Sequence, residues 1–539
     1  MCRPIRGRDA RATRTVRWWK RLSFPLALAL FFSGCAKPAS DTTHVLRISQ
    51  RNEPADLDPA TASLPDEFFV IRALGEGLLV PNPGGGAPLP AAAERYDISA
   101  DGLAYTFRLR ADAMWSNGEP VTAGDFVASY RRVLDPATAA PKAHLFFAVK
   151  NAHAFATGAL TDFSAVGFRA ADARTLVVTL ERADPRFPLY VATGAWIPVN
   201  PRVVTQHGRA WTQPEHFVGN GAFTLAEWRP QQRIVVKKNP RYRDAARVQL
   251  DAIQFVRLDD QDAEERAFRS GQIDITMSVP LTKLEPYAHE HPAELHRAPL
   301  AETRFLSFNV RRAPLADPRV REALALSIDR ALIVERVLRG GQEPAARFLS
   351  PPLAAGLNPP VVQHRLDVEL ARRRLAEAGF AGGKNFPRLE LTAWSPSQTP
   401  VLEAIQQMWR RELGIEVALA IREAKVHLAA LASGDYDIAF ATTLLDVADA
   451  TAALDDFTSD ASNNFPHWRS PDFDRTVGDA LNARDPAAIV QAENLLLAAA
   501  PVSPVYFNAH NWLMSPRVHG WREDALWTRY YQDIHLDEN

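Results

Sequence analysis

Residues 101–136 read DGLAYTFRLRADAMWSNGEPVTAGDFVASYRRVLDP. Tyr105–Leu109 is a short alternating run of the kind that forms a strand, apolar on one face and polar on the other. Asn117-Gly118 and Pro120 carry turn chemistry. Thr122 stands where a helix N-cap is expected, its hydroxyl placed to accept from a free N–H of the first turn, for a helix starting near Asp125. Strand, turn and capped helix thus follow in direct succession, and the pattern continues outward on both sides.

Further strands are predicted at Val45–Ser49, Leu176–Leu180, Ile234–Val236, Ile253–Val256 and Phe305–Val310. The clearest helical spacing runs from Asp317 to Arg339. Asp317 is a good N-cap, and Pro318 sits at the first position, where its missing N–H is harmless. Val320, Leu324, Ile328, Leu332 and Val337 lie along one face, and Gly340 offers a left-handed stop. Asp367 to Gly379 repeats the logic with Leu370 and Leu375 inward. Val401 to Leu413 is a third helix, followed by a strand at Glu416–Ile421. Helix and strand alternate through this half, whereas the first half is richer in strands, so an α/β chain of more than one lobe is expected. No fixed-period repeat is visible, which excludes solenoids and propellers.

The 539 residues suffice for two to four domains at about 150 residues each. With 47% hydrophobic and 23% charged residues the chain is globular in composition. Its net charge of −1 speaks against a general nucleic-acid binder, and no apolar run is long enough for a polytopic membrane protein. The balance hides an asymmetry. Residues 1–34 carry eight Lys and Arg against Asp9 alone, a net +7 set against −8 for the rest. This basic stretch leads into the apolar run Leu22 to Phe32 and then the small Ser33 and Gly34, the order of a secretory signal. Phe32-Ser33-Gly34-Cys35 resembles the lipobox of bacterial lipoproteins, with Phe32 departing from the usual Leu. The resemblance implies cleavage before Cys35 and lipid attachment to it. Removal of 1–34 also removes Cys2, leaving no second thiol for an internal disulfide. Residues 36–43 read as a flexible tether.

Common catalytic signatures are missing. There is no G-x-S-x-G, no H-E-x-x-H, no P-loop and no G-x-G-x-x-G. His289-Glu290-His291 runs into Pro292 in a segment that reads as a loop, and Gly84-Gly85-Gly86 between Pro83 and Pro88 reads as a turn. Adjacent carboxylates at Asp259-Asp260 and Asp455-Asp456 read as loop or capping residues. Neither a metal site nor a cofactor is expected, and the chain is not read as an enzyme.

An ordered set of motifs resembles the oligopeptide-binding proteins of bacterial ABC importers, the extracellular solute-binding family 5. It begins with Asn52-Glu53-Pro54, Leu57-Asp58-Pro59 and Glu76-Gly77-Leu78-Leu79. It continues through Tyr105-Thr106-Phe107, Trp115-Ser116-Asn117-Gly118, Pro120-Val121-Thr122-Ala123, Asp125-Phe126 and Asp135-Pro136. Downstream lie Trp211-Thr212-Gln213-Pro214, Asn220-Gly221-Ala222-Phe223, Ser270-Gly271-Gln272-Ile273-Asp274, Asp317-Pro318-Arg319-Val320-Arg321, Gly434-Asp435-Tyr436-Asp437, Ser470-Pro471 and Pro504-Val505-Tyr506. The similarity spans nearly all of 45–539.

The resemblance implies a periplasmic-binding-protein-like α/β fold, two lobes around a ligand cleft and a third inserted lobe. The first lobe would be 44–75 with 196–300 and 505–539, the inserted second lobe 76–195 and the third 301–504, with a hinge at the crossings near 300 and 505. It implies a lipid-anchored periplasmic receptor that captures oligopeptides and delivers them to an ABC permease with its ATPase subunits. Such a receptor is expected to be a monomer, held at the membrane by its lipid and free of nucleic acid. Asp446 would pair with the peptide's amino terminus, beside a strand offering backbone groups through Phe440, Thr443 and Leu444. Read without the resemblance, Asp446 is a surface or capping residue. Glu67 would be a first-lobe carboxylate near the ligand, or else an exposed helix-start residue. Positions that hold a short peptide's carboxylate in some members correspond to Gln398, Leu431 and Phe440, leaving Arg312 as the basic candidate. Phe146, Phe147 and Phe440 are candidates for an apolar pocket or for plain core. The same scaffold for a non-peptide solute, and an anchored extracytoplasmic hydrolase, are the alternatives.

Overall fold

In the computed structural model, which describes residues 44–483 and 485–537, the segment quoted above forms the heart of one lobe. The signal segment and Cys35 lie outside the described residues. Strand Ala104–Leu109 turns Tyr105, Phe107 and Leu109 inward. It is central in an antiparallel sheet ordered Ala93–Ile98, Ala104–Leu109, Thr175–Thr179, Phe168–Asp172. Helix Ala123–Leu134 starts where Thr122 predicts it. The Thr122 hydroxyl accepts from Asp125 N at 3.3 Å, and the Asp125 carboxylate accepts in return from Thr122 N at 2.9 Å and from Trp115 Nε1 at 3.2 Å. Gly118 takes φ +91° in the preceding turn, a region that L side chains rarely adopt. Phe126 and Tyr130 pack with Phe146 and Trp196, the last two stacked at 4.2 Å.

The first lobe is built on a sheet ordered Val45–Gln50, Ala252–Arg257, Arg233–Lys238, Phe223–Arg229, its first pair parallel and the others antiparallel. The third lobe holds a six-stranded sheet ordered Glu343–Pro344, Val502–Leu513, Leu295–Phe308, Ile438–Thr442, Leu389–Ala393, Val417–Ile421. Two of its strands do more than fill the sheet. Leu295–Phe308 and Val502–Leu513 pair antiparallel from Leu295 with Leu513 to Ser307 with Val502. Their outer ends reach the first lobe, where Ile275 bridges both Ile48 and Met514. The crossings expected near 300 and 505 therefore fall inside two paired strands rather than in loops. The ladder between them breaks its register from Pro299 to Thr303. Such an irregularity bends a strand and frees backbone groups. The described residues form one compact unit.

The predicted strand Phe305–Val310 is the end of a longer one, and the predicted helix Asp317 to Arg339 is broken. Asp317 caps Pro318–Leu326 through Arg319 N at 2.9 Å as expected. The chain then leaves the helix at Ser327, restarts with Asp329 as a new cap for Arg330–Leu332, and continues as wide turns over Ile333–Leu338. The buried Arg330 guanidinium accounts for the break. It donates to Ala325 O and Ile328 O at 3.1 Å, to Pro504 O at 2.7 Å and to Ser503 Oγ at 2.9 Å. An unbroken helix would have kept those first two carbonyls for itself. The left-handed stop is Arg339 at φ +57°, with Gly341 next at +81°, in place of the predicted Gly340. Helices Val368–Glu377 and Thr399–Leu413 form as read, with Gly379 and Gly414 left-handed beyond them. His289-Glu290, read as loop, is the last turn of helix Leu281–Glu290.

Candidate functional site

A cavity of about 540 Å³ opens where the three lobes meet. Its first-lobe wall is the exposed side of helix Pro65–Leu74 with the segment Ala525–Thr528; the inserted lobe adds Lys142, Leu145 and 193–195. The third lobe contributes Leu300, Ala301, Glu302 and Arg304 from the irregular strand, Trp394, and the run 442–446 that leaves strand Ile438–Thr442. Phe68, Phe69, Leu145, Trp394, Leu445 and Trp527 make much of the surface apolar. Such a volume with a few placed polar groups suits a small organic ligand.

Asp446 stands on this wall. Its Oδ1 accepts from Lys142 Nζ at 2.6 Å and its Oδ2 lies 3.0 Å from His144 Nε2, so both oxygens are held by the inserted lobe. Burial pushes its carboxyl up. The His144 hydrogen bond and the Lys142 charge and hydrogen bond outweigh that and hold it below the ordinary carboxylate value. Thr443 and Leu444 line the cavity beside it. Thr443 is locked to the irregular strand, its N donating to Thr303 O at 3.1 Å and its Oγ1 accepting from Thr303 N at 2.9 Å. Leu444 is exposed to the cleft.

The other candidates stand elsewhere. Glu67 points back into its own helix start, accepting from Ser63 N at 2.7 Å, Leu64 N at 2.9 Å and Ala55 N at 3.3 Å. It is buried as a cap and stands off the cavity wall. Phe440 is fully buried in the third-lobe core, 6.2 Å from the Tyr506 ring; it shares a strand face with Thr442 but lies two residues deeper, under the core rather than on the cavity wall. Arg312 is drawn off by Asp435 at 2.9 Å and Asp437 at 3.0 Å. Gln398 and Leu431 are buried off the cavity wall. Phe146 belongs to the inserted-lobe core, and Phe147 packs edge-on against His153.

Several wall residues escaped the sequence reading. Lys142, on the wall, and its neighbour His144 sit in an alanine-rich stretch with neither strand nor helix periodicity. Glu302 and Arg304 are 2.7 Å apart, with Thr442 Oγ1 and Asn508 Nδ2 donating to Glu302 at 2.7 and 2.8 Å, and with Arg304 over the Trp394 ring at 5.3 Å. Their signal was available: charged residues at every second position of an otherwise apolar strand face a polar space. Among the described residues, no three His, Cys, Asp or Glu side chains gather as a metal site, and no helix is long and apolar enough to cross a membrane.

Comparison with known proteins agrees with this architecture. Residues 87–465 match the family described as bacterial extracellular solute-binding proteins, family 5 Middle. The chain is 33% identical over 496 residues to the probable deoxycholate-binding periplasmic protein YgiS of Escherichia coli (strain K12), covering 88% of this chain and 90% of the relative. It is 33% identical over 498 residues to the periplasmic murein peptide-binding protein MppA of the same strain, covering 89% and 91%. Among solved structures it resembles Haemophilus influenzae OppA in complex with RPPGFSPFR, with a TM-score of 0.75, 28% identity, and coverage of 92% and 99%. The matched segment takes in the whole inserted-lobe sheet and the third-lobe wall of the cavity up to and beyond Asp446, and the chain belongs to the bacterial extracellular solute-binding proteins of family 5.

Proposed function

We propose that this chain is the lipid-anchored periplasmic receptor of an ABC importer. It captures oligopeptides between its lobes and passes them to a membrane permease driven by ATPase subunits. The observation that carries the reading is Asp446, a carboxylate held in its charged form on the wall of an interlobe cavity, next to backbone of the run 442–446. An extended peptide would lie along that run by main-chain hydrogen bonds, with its ammonium at Asp446. The relatives named for murein peptides and oligopeptides support the class of ligand. No turnover is expected, and Cys35 carries the lipid anchor in this reading.

A second reading is favoured by one observation. Lys142 and His144 already occupy both oxygens of Asp446, and much of the cavity is apolar, so an amphipathic solute without an amino group also fits. The relative named for deoxycholate binding belongs beside this reading. Native purification of the protein from the cell envelope, acid release and mass spectrometry separates the two. A mixture of short peptides is expected; a single non-peptide species replaces the peptide reading with the second.

A further inference from the structure

Two first-lobe guanidinium groups, one on the wall of the cavity and one behind it, have no carboxylate paired to them among the described residues. Arg72, in the last turn of helix Pro65–Leu74, lines the interlobe cavity and also a second cavity of about 330 Å³ behind it. Among the described residues it makes one hydrogen bond, a long one from Nη2 to Ala192 O at 3.4 Å. Burial pulls its pKa below the usual guanidinium value, against the nearby Tyr530 and Asp524. Arg529 lines the rear cavity and is 2% exposed. Its guanidinium lies beside the Tyr531 hydroxyl, which it meets outside good hydrogen-bonding geometry, and no carboxylate among the described residues is paired with it. Arg529 is held instead by rings, 3.8 Å from the Phe69 centroid, 5.6 Å from Trp521 and 5.9 Å from Trp527. Phe69 and Trp527 face the interlobe cavity themselves.

The other cations on these walls are answered. Lys142 has Asp446 and Arg304 has Glu302. In the rear cavity Arg243 has Glu76 and Asp244, while Arg247 and Arg522 share Asp533. Asp533, the carboxylate closest in sequence to Arg529, is thus taken, and Asp524 and Glu523 are engaged as well. Asp524 accepts from Leu526 N, Thr528 N and Tyr530 Oη, each at 2.9 Å, and Glu523 is 2.8 Å from His510 Nδ1. Burying a cation without an anion is unfavourable. An oxyanion at Arg72 relieves that cost, and the planar fork of arginine fits a carboxylate.

We propose that Arg72, backed by Arg529, forms the subsite for a carboxylate carried by the ligand. The proposal rests on the peptide-receptor reading and extends it. The amino end is taken by the third lobe at Asp446 and the carboxylate end by the first lobe, so a single cavity selects short ligands by both ends. The third-lobe positions Gln398, Leu431 and Phe440 then need no basic residue.

The test is calorimetric titration of the full chain with a synthetic tripeptide pool bearing free carboxylates, and with the same pool as C-terminal amides. The acid pool is expected to bind about tenfold or more tightly than the amide pool. Arg72→Gln should erase that preference by weakening the acids alone, and Arg72→Lys should restore part of it. Far-UV circular dichroism checks that the variants fold, and the wild-type comparison needs no variant. Equal binding of acids and amides by the wild-type protein overturns the subsite while leaving the receptor reading intact, as does an acid preference that survives Arg72→Gln in a folded variant. If neither pool binds and the native protein carries no peptide, the receptor reading fails and the subsite falls with it.

Discussion

Asp446 already has two partners before any ligand arrives, the Lys142 ammonium and the His144 ring, which makes Lys142 a competitor for the ligand's ammonium. Asp446→Ala should weaken binding of free-amine peptides by about 2 kcal/mol, some thirtyfold, since a hydrogen-bonded charge pair is lost. Lys142→Met should do the reverse and tighten the same peptides by up to about fivefold, the worth of a part-exposed ion pair, while N-acetylated peptides are unaffected. Titration calorimetry with both peptide forms reads each outcome, and a Lys142→Met protein that weakens free-amine peptides would remove the competition. Asp456 gives the pH test. Burial, against a hydrogen bond from Asn463 and reinforced by the Asp455 and Asp446 charges, raises its carboxyl to about 6. A raised acid favours the folded state fully below its ordinary value and loses that contribution as pH rises through 6. Asp456→Asn should therefore stabilise the protein by on the order of 2 kcal/mol at pH 8 and by nothing near pH 4. Urea unfolding at the two pH values checks this, and a gain independent of pH would show that the carboxyl does not titrate as described.

Elements begin and end here for local reasons, and those reasons sort residues by role. Glu67 was a candidate for the ligand because of where it falls after Leu64-Pro65-Asp66. Its three backbone donors make it the cap of helix Pro65–Leu74. Glu67→Ala should cost about 1–2 kcal/mol of stability and leave peptide affinity within about twofold. Loss of affinity with stability intact would return Glu67 to the ligand. The broken helix after Asp317 makes a parallel case. Arg330→Met leaves the carbonyls of Ala325, Ile328 and Pro504 without their donor, each such loss costing about 1–3 kcal/mol, so a total near 3 kcal/mol or more is expected. Thermal unfolding measures it, and an unchanged midpoint would mean that the break has another cause.

For the whole molecule, the third lobe is tied to the other two in different ways. Two paired strands, irregular between Pro299 and Thr303, carry the chain between the first and third lobes. The inserted lobe touches the third through Lys142–Asp446 and through Arg186–Asp455 at 3.3 Å. Ion pairs across a cleft are weak and screened by salt, whereas the strands are continuous, so the cleft should open at its ion pairs and bend at its strands. Small-angle scattering should show a smaller radius of gyration with bound peptide. It should show a larger one for the unliganded Lys142→Met protein at low salt than for wild type. Identical scattering in all states would mean a rigid cleft.

Much was legible in residues 101–136 alone. Thr122, Gly118 and the alternation of Tyr105, Phe107 and Leu109 act over a few residues, so capping, turn and strand face follow from local chemistry wherever the segment is placed. The ordered motifs along the chain were enough to indicate the α/β lobes and the family, and counting on from Tyr436-Asp437 under that resemblance pointed to Asp446, which lines the cavity. The tertiary structure decided everything that depends on residues meeting from far apart. Asp446 lies more than 300 positions from Lys142 and His144, Arg72 more than 400 from Arg529, and Arg330 breaks its helix to reach Pro504 and Ser503. A side chain's charge is written in the sequence. Whether that charge is paired, buried or left to a ligand depends on which distant backbone is folded against it.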